Sequence, residues 1–362
     1  MTIVRLAPNR GHELERHDDA ELDAVAQLAR DANASIAEAL TLAVTLGPTA
    51  PHPGSGATVR LWEMLATIGS VDLTVARVVE PHLDALSIIT AADAPIPGAE
   101  QSTWGVFAAE GPGMTMTALV HGGRWTLSGQ KPWCSLAAHL DFALVTARTS
   151  AEHRRLFAVR LRDPGVSIAS GGWSARGLAA VESGPISLND VDAIPVGADE
   201  WYLERPGFSW GGIGVAAIWY GASVALGRRL RSALTAREPD QIGLMLLGDV
   251  DLELHQARTL LFAASAEVDS AEVHSAEVDS AEVDSASTAP AVVAQRVRSA
   301  VSRSAERVSQ ALAHALGPGP LATDEDHSRR VADLALYIRQ DHAERDLARL
   351  GKAILDMNAP PW

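Results

Sequence analysis

The sequence predicts an α+β protein of several domains, in which helices come first, a block of strands follows, and helices return. Apolar residues recur at three- and four-residue spacing from about residue 21 to residue 90. Short alternating segments, separated by Gly- and Pro-rich turns, occupy residues 101–188. After Pro206 the helical periodicity returns in four long stretches, which predicts a C-terminal four-helix bundle.

Bulk properties limit the classes of function. The chain has 362 residues, enough for two or three domains, and 47% of them are hydrophobic, so a sizeable core can form. The formal net charge is −15, which argues against nucleic acid as a main partner because phosphate backbones require clustered Lys and Arg.

The cysteine content and the lengths of the apolar runs predict the subcellular location. Cys134 is the single cysteine, so an internal disulfide is impossible and a reducing compartment is expected. The N-terminus has no apolar stretch of signal-peptide length, and no run approaches the roughly 18 apolar residues of a membrane span. We expect a soluble cytoplasmic protein with no membrane contact.

Three domains are predicted, at residues 1–98, 99–204 and 205–362. Residues 1–20 indicate a polar, solvated arm, and the His and Glu residues within it match no metal-ligand spacing, so no metal site is predicted. Two helices are expected over residues 59–90, with Pro81 bending or ending the second one early.

The most informative stretch runs from Arg124 to Arg148. It predicts two strands with a sharp loop between them, the first broken by Gly129 and the second beginning at Phe142. If the segment after Gly129 is extended, alternation places the Trp133 indole and the Ser135 hydroxyl on one face. A flat ring and a hydroxyl on one face can form one wall of a site for a planar ligand.

This stretch resembles the acyl-CoA dehydrogenase family, whose middle domain carries the pattern N-G-x-K-x-W-I-T. Ser128, Gly129, Lys131, Trp133 and Ser135 occupy the corresponding positions, with Ser replacing the first and last residues of the pattern. The resemblance implies an N-terminal helical bundle, a middle β-barrel and a C-terminal four-helix bundle. It also implies that Trp133 and Ser135 lie against the flavin ring of FAD. The alternative is an ordinary β-hairpin with a core Trp.

A second part of the resemblance lies at residues 104–115, where the family has T-E-P-G-A-G-S-D. Glu110 matches the Glu, Ala109 replaces the Thr, Thr115 replaces the Ser, and Met116 replaces the Asp. The resemblance places Ala109 and Thr115 at the flavin, although the substitutions remove half of the expected hydrogen bonding. The alternative is a glycine-rich loop that holds no ligand.

The family reaction needs a desolvated carboxylate that takes the α-proton of an acyl thioester. In many members this base is a Glu eight residues after an Arg-Asp pair, and the same count from Asp333 leads to Asp341. The resemblance therefore makes Asp341 the candidate base, one methylene shorter than Glu. The alternative is a solvated helix face, with Asp341 and Arg345 one turn apart.

A glycine turn near the adenine and pyrophosphate of FAD is also typical of the family. The matching turn here contains Gly317 and Gly319, which the resemblance makes candidate cofactor contacts. Pro318 and Pro320 interrupt it and remove backbone donors that a phosphate would use.

A five-residue repeat, SAEVD with one SAEVH, spans residues 265–284 within a low-complexity insert at 265–287. A period of five advances about 140° per repeat on a helix, so the valines would not share one buried face. The segment is predicted to be a mobile inserted loop or an extended, frayed helix end.

Three functions remain open from the sequence. The first is an FAD-dependent, acyl-CoA dehydrogenase-like oxidoreductase acting on an acyl-CoA thioester. The second is a catalytically silent structural subunit whose homologous partner supplies the base and the cofactor contacts. The third is a flavin-dependent monooxygenase of the same fold. An oligomer is expected from the family likeness.

Overall fold

The structure is a computed structural model, and it describes residues 2–7, 12–169, 171–236, 238–277 and 288–357. The N-terminal part is helical, as predicted. The helices are α1 (His12–Ala32), α2 (Ile36–Leu46), α3 (Thr58–Val71) and α4 (Leu73–Ala91). Asp72 separates α3 from α4 and caps α4, because its carboxylate accepts a hydrogen bond from Val75 N.

Helix α4 does not end at Pro81. It continues from Leu73 to Ala91 with Pro81 inside it. Proline has no N–H, so the carbonyl of Arg77, four residues earlier, loses its helical donor. Burial of the apolar face on both sides of Pro81, at Val78 and Leu83 for example, compensates for that loss.

The prediction that residues 1–20 form a solvated arm is wrong for the first residues of the chain. Ile3, Val4 and Leu6 are buried in the main core. Their backbone is held by Glu63, whose carboxylate accepts bonds from the N–H groups of Leu6 (2.7 Å) and Ala7 (3.0 Å). These bonds give the backbone N–H groups of the segment an acceptor, so the segment can be buried without being helical.

The middle part is a seven-stranded sheet that closes into a small barrel. Five strands close the ring: β4 pairs with β5, β5 with β7, β7 with β3, β3 with β2, and β2 with β4. Outside the ring, β1 pairs with β4 and β6 pairs with β7. The strands are β1 (Trp104–Phe107), β2 (Met116–His121), β3 (Arg124–Ser135), β4 (Phe142–Arg148), β5 (Arg154–Arg160), β6 (Val166–Ile168) and β7 (Ser183–Val196).

Gly129 does not break β3, which runs on to Ser135. Gly129 lies instead at an irregularity in the pairing with β7, with φ of +130°. A Cβ at this position would lie 2.1 Å from the carbonyl oxygen of Thr115, so the close approach of β2 requires glycine. β3 and β4 are consecutive in sequence but belong to opposite parts of the barrel, so they do not form a hairpin.

The C-terminal part is helical, but its last predicted helix is broken. Three long helices pack together, and the expected fourth (331–350) consists of two shorter helices separated by a turn at Ile338–Ala343. The helices are α5 (Trp201–Glu204), α6 (Pro206–Thr235), α7 (Gln241–Glu277), α8 (Thr288–Leu316), α9 (Gly319–Thr323), α10 (Glu325–Tyr337) and α11 (Glu344–Leu355). The domain boundaries at 98/99 and 204/205 remain predictions.

The repeat begins inside α7. Residues 265–277 continue that helix, as the second of the two predictions for this segment proposed, and residues 278–287 lie outside the described part. The first repeat unit is packed, since Val268 is buried and Asp269 accepts bonds from Thr58 Oγ1 (2.6 Å) and Gly56 N (3.0 Å) at the start of α3. One unit of the repeat therefore serves as a helix cap for another element.

Helix α6 is long and apolar enough to cross a membrane by length and composition, over Gly207–Thr235. Of its most apolar window, 78% is buried inside the protein. It is the central helix of the bundle, and it packs against α3, α7 and α8.

The contact between α3 and α6 brings the two helical parts together without intervening side chains. A Cβ on Gly221 of α6 would lie 1.9 Å from the carbonyl oxygen of Ala66 in α3. A Cβ on Gly69 of α3 would lie 2.7 Å from the carbonyl oxygen of Ile218 in α6. The two backbones therefore touch, which only glycine allows at these positions.

We expect Gly221→Ala to lower the thermal unfolding midpoint by several degrees. The added methyl group must push the two backbones apart, and overpacking of this kind costs about 1–3 kcal/mol. The matched control is Gly248→Ala in α7, where a Cβ would meet nothing within 4 Å. There alanine is expected to be neutral or to stabilise by about 0.5–1 kcal/mol. Equal midpoints for the two variants would contradict this account of the interface.

Candidate functional site

Trp133 is a large aromatic residue that the barrel leaves uncovered. Its side chain is 64% exposed, and its φ is +58°. In the β3–β7 pairing, Lys131 is opposite Ile186 and Cys134 is opposite Gly184, so β3 carries one extra residue there. The segment is not extended, and the predicted alternation of Trp133 and Ser135 on one face does not apply. The bulge at Pro132–Trp133 turns the indole outwards instead.

This backbone conformation is uncommon for a bulky residue. A side chain with positive φ costs about 1–3 kcal/mol and persists only where the surroundings impose it. Here the neighbouring residues Pro132 and Cys134 are buried and fix the strand on both sides. A strained backbone that exposes a flat ring is the kind of local feature from which a binding role can be inferred.

The loop at residues 108–115 lies beside Trp133. A Cβ on Gly111 would lie 2.9 Å from Cγ of Pro132, so the loop backbone rests directly on the proline. Ala109 and Thr115, both predicted at the flavin, are exposed on this loop, and the Thr115 carbonyl accepts a bond from Gln130 N at 2.9 Å. The loop that carries two of the predicted cofactor positions therefore packs against the strand that carries Trp133.

Lys131 holds this loop in place. Its ammonium is buried and donates hydrogen bonds to Thr146 Oγ1 (2.7 Å) and to Glu110 Oε1 (3.1 Å). Burial lowers the pKa of Lys131, and the nearby Glu110 carboxylate opposes that shift. The lysine of the sequence motif thus connects the barrel wall to the base of the loop.

Ser135 connects the barrel to the N-terminal helices. Its Oγ accepts a hydrogen bond from Nη2 of Arg77 on α4 (3.1 Å) and lies 2.8 Å from Oγ of Ser183. Ser183 Oγ donates its proton to the carbonyl of Val181 (3.0 Å), so Ser135 is the donor to Ser183. With its one proton used in this way, Ser135 can offer a ligand only a lone pair.

A small cleft of about 30 Å³ opens beyond Arg77, between α3, α4 and α6. Its walls are mostly apolar, and they include the indoles of Trp62 and Trp210. Two carboxylates, Glu80 and Asp84, also line it and lie one helical turn apart on α4. The cleft has room for about two water molecules and is much smaller than a typical ligand pocket.

The two carboxylates are unusual in their surroundings. Burial raises the pKa of Glu80 to about 7; Arg77 opposes the shift and Asp84 adds to it. Burial likewise raises the pKa of Asp84, opposed by Arg205. The nearest cationic atoms are Arg77 Nη1, 3.9 Å from Glu80, and Arg205 Nη2, 4.0 Å from Asp84, which are ion pairs too long for hydrogen bonds.

Asp341, the candidate base, is buried in the turn between α10 and α11. One carboxylate oxygen accepts a bond from Ala343 N (2.9 Å), and the other accepts one from Ser299 Oγ (3.3 Å). The alternative prediction, a solvated helix face, is wrong because the residue is neither helical nor exposed. Asp341 does not line the cleft, and its role as a base stays a prediction.

The Arg-Asp pair used to locate Asp341 has structural partners. Arg330 donates to the carbonyl oxygens of Ser70 (2.8 Å) and Val71 (2.9 Å) at the end of α3. Asp333 accepts a bond from Leu178 N (2.5 Å). The pair attaches α10 to the end of α3 and to the segment that precedes β7.

Gly317 and Gly319 lie at the junction of α8 and α9. Gly317 has φ of +66°, which explains glycine there as a helix terminator, and a Cβ on either residue would meet nothing within 4 Å. The turn is thus open rather than closely packed. Within the described residues, no group of three or more His, Cys, Asp and Glu side chains is arranged to hold a metal ion.

Sequence reasoning located the wall at Trp133 but missed the cleft. Arg77, Glu80 and Asp84 lie at i, i+3 and i+7 within an otherwise apolar helix. A mostly apolar helix has no solvated face on which charged residues could lie. Charged residues in such a helix therefore indicate buried polar contacts. That signal was available, but the partners of these residues come from other elements and cannot be seen in sequence.

Comparison with known proteins supports the fold. Residues 107–191 match the family model for the middle domain of acyl-CoA dehydrogenases. A search of curated proteins found no match.

Solved structures resemble nearly the whole chain. The nitrososynthase from Micromonospora carbonacea var. africana is 18% identical, with a TM-score of 0.77 and coverage of 98% of this chain and 100% of that one. FMN-bound TdsC, from Paenibacillus sp. A11-2, is 16% identical, with a TM-score of 0.75 and coverage of 94% and 98%. KijD3, solved with FMN and a dTDP-linked 3-amino sugar, is 17% identical, with a TM-score of 0.75 and coverage of 95% and 94%.

We expect Asp341→Ala to lower the thermal unfolding midpoint. Loss of the carboxylate leaves Ala343 N and Ser299 Oγ without their acceptor in a buried turn, which costs about 1–3 kcal/mol. Asp326→Ala is the control, because its exposed carboxylate makes only a 3.7 Å pair with Arg329 that contributes little. An Asp341 variant that loses turnover but keeps its midpoint would indicate a catalytic role instead.

Proposed function

We propose that this chain is a flavin-dependent monooxygenase with the acyl-CoA dehydrogenase-like fold. The observation that carries the proposal is the exposed indole of Trp133, held on a strained bulge beside the loop at 108–115. A flavin would supply the electron transfer and the reaction with molecular oxygen. The protein would position it against the exposed indole.

The residues at the wall are compatible with a flavin ring. Trp133 offers an exposed aromatic face. Ser135 lies beyond the bulge, and its hydroxyl is bonded to Arg77 and Ser183. The loop that carries Ala109 and Thr115 is fixed by the buried ammonium of Lys131, so the wall is preorganised. Preorganisation matters because an ordered site loses less entropy when a ligand binds.

We propose FMN as the cofactor in place of the FAD predicted from the sequence. The turn expected to hold the adenine half of FAD contains Pro318 and Pro320, which lack N–H donors. FMN has no adenine half and does not need that turn. The structures of TdsC and KijD3 with FMN support this choice. The Gly317 and Gly319 contacts remain a prediction that applies only to FAD.

Oxygen transfer is favoured over dehydrogenation of an acyl-CoA with Asp341 as the base. Both oxygens of Asp341 already accept hydrogen bonds, and the residue does not line the cleft. Related solved structures include the monooxygenases TdsC and MsuC, the latter from Pseudomonas fluorescens. Dehydrogenation of an acyl-CoA thioester remains the alternative.

Two further expectations stay predictions. We propose a soluble protein located in the cytoplasm. An oligomer is favoured by exposed apolar side chains on α7, since such patches often mark protein interfaces. These side chains are Ile242, Leu244, Met245 and Leu252. A silent structural subunit would form the same oligomer but bind no flavin by itself.

We expect the purified protein to bind FMN more tightly than FAD, measured by quenching of flavin fluorescence. Trp133→Ala should weaken FMN binding about tenfold, because stacking of aromatic rings contributes about 0.5–1.5 kcal/mol beyond area burial. Trp133→Phe should retain most of the affinity, and Leu119→Ala, at another exposed apolar residue of the barrel, should retain all of it. Protein that binds neither flavin would support the silent subunit.

We expect the FMN-loaded protein to keep its visible absorption band when mixed anaerobically with butyryl-CoA, octanoyl-CoA or palmitoyl-CoA. Both oxygens of Asp341, the base that the family resemblance implies, already accept hydrogen bonds, so this residue should not start α,β-dehydrogenation and the flavin should stay oxidised. Dithionite provides the positive control for bleaching. Bleaching by any of the three thioesters would overturn the monooxygenase proposal in favour of acyl-CoA dehydrogenation.

A further inference from the structure

Residues 2–7 occupy a groove formed by α1, α3, α6 and α7, and they form neither a helix nor a strand there. Three of their side chains are almost completely buried, with exposed fractions of 4% for Ile3, 2% for Val4 and 1% for Leu6. A segment without regular secondary structure cannot satisfy its buried backbone donors and acceptors internally, so it needs partners on other elements. Those partners show how the groove holds the segment.

One wall of the groove is α3, which supplies acceptors for the N–H groups of the segment. Thr67 Oγ1 accepts a hydrogen bond from Val4 N at 3.0 Å. One turn earlier on α3, Glu63 accepts the bonds from Leu6 N and Ala7 N. Thr67 and Glu63 are both buried and lie four residues apart, so they share one face of the helix.

A second wall consists of α6 and α7, which supply donors for the carbonyl groups of the segment. Arg228 of α6 donates from Nη1 to the carbonyl oxygen of Thr2 (3.0 Å) and from Nη2 to that of Ile3 (2.6 Å). Arg258 of α7 bonds to the last two carbonyl oxygens of the segment, at 3.1 and 2.9 Å. Each guanidinium therefore bridges two consecutive carbonyl oxygens with its fork of N–H donors.

The contacts are those of a bound peptide rather than those of a strand in a sheet. Four side chains of the groove, Glu63, Thr67, Arg228 and Arg258, make seven hydrogen bonds to the backbone of the segment. Among the described residues, no backbone group of another element bonds to it. In peptide recognition, main-chain hydrogen bonds give affinity, and pockets for particular side chains give specificity.

The side chains of the segment define what the groove selects. The three buried apolar side chains fill its interior. Between them, Arg5 donates from Nε to Asp19 Oδ1 of α1 (2.9 Å) and from Nη1 to Glu63 Oε2 (2.9 Å). The groove therefore fits an extended peptide in which a basic residue stands between apolar ones.

We propose that this groove is a peptide-binding site and that residues 2–7 are its detachable occupant. The segment is joined to α1 in sequence through residues 8–11. A separate peptide of the same sequence can make the same contacts, because none of them involves the covalent link to α1. The proposal goes beyond the flavin chemistry proposed above and does not depend on it.

Occupancy of the groove connects the two helical parts of the protein. The segment bonds to α3 on one side and to α6 and α7 on the other. A peptide that binds the folded protein and not the unfolded chain shifts the equilibrium towards the folded state. Binding of the peptide should therefore raise the thermal unfolding midpoint of protein whose own segment has been cut off.

The test uses the full-length protein with the recognition sequence of a specific protease inserted within residues 8–11. The probe is the hexapeptide Thr-Ile-Val-Arg-Leu-Ala, labelled with fluorescein at its N-terminus, amidated at its C-terminus, and followed by fluorescence anisotropy. Cleaved protein should bind the probe saturably, and the unlabelled hexapeptide should compete with it. Uncleaved protein should bind the probe about tenfold more weakly or worse, because its own segment competes at a high effective concentration.

Three results would overturn the proposal. Cleaved protein that stays folded but excludes the probe would show that the segment is a permanent part of the core. Equal binding by cleaved and uncleaved protein would place the peptide outside the groove. Cleaved protein that unfolds by circular dichroism, even with excess unlabelled hexapeptide, would show that the contacts require the covalent link. FMN binding by the unaltered protein tests the proposed function separately.

Variants assign the binding to the groove. In the cleaved protein, Arg228→Ala removes two donors to carbonyl oxygens and should weaken probe binding about tenfold or more. Arg231→Ala, at an exposed residue of the same helix, should leave the affinity unchanged. An Arg228→Ala protein that keeps its full affinity would contradict the proposed binding mode.

Peptide variants give a result that does not depend on how the protein variants fold. Leu6→Asp in the hexapeptide places a charge at a buried position and should weaken binding about tenfold or more. Thr2→Ser is the matched control, because it keeps the hydroxyl and every backbone group, and it should bind as the original peptide does. Equal affinities of the Leu6→Asp and Thr2→Ser peptides would show that the probe does not enter the groove.

Discussion

The close contact between α3 and α6 determines where every other part of the site can lie. At Gly69 and Gly221 the backbones of the two helices touch, so the N-terminal and C-terminal helical parts share one core. Helix α4 follows α3 after a single residue, Asp72, and is therefore aligned by the same contact. The cleft is lined by residues of these three helices together with Pro51 and Pro53.

The barrel adds the second half of the site and is joined to the helices through few polar contacts. Arg77 reaches Ser135, and Arg330 and Asp333 connect α10 to α3 and to Leu178. Each of these side chains is partly or fully buried, so its hydrogen bonds are not weakened by competition with water. Trp133 contributes to none of these contacts, and its exposure is compatible with a ligand-binding role.

Much of the fold was predictable because it depends on local patterns. The order of helices, strands and helices follows from periodicity, and the hairpin at Gly122–Gly123 follows from turn chemistry. The bulge at Trp133 was not predictable, since it arises from one extra residue relative to β7, a partner distant in sequence. The burial of Ile3, Val4 and Leu6 also depends on a distant residue, Glu63. For the same reason the motif indicated the strand that exposes Trp133, whereas Glu80 and Asp84 come to line one cleft only through packing against α3 and α6.

The attachment of the first repeat unit has a consequence for how the gene can vary. Asp269 caps the start of α3, and Val268 is buried beside it, so this unit belongs to the bundle. Tandem repeats in coding DNA gain and lose copies by slippage of the replicating strand, and a pentapeptide unit keeps the reading frame. Copies added or lost after Glu277 leave the anchored unit in place. The cap on α3 therefore does not depend on the number of later repeat units.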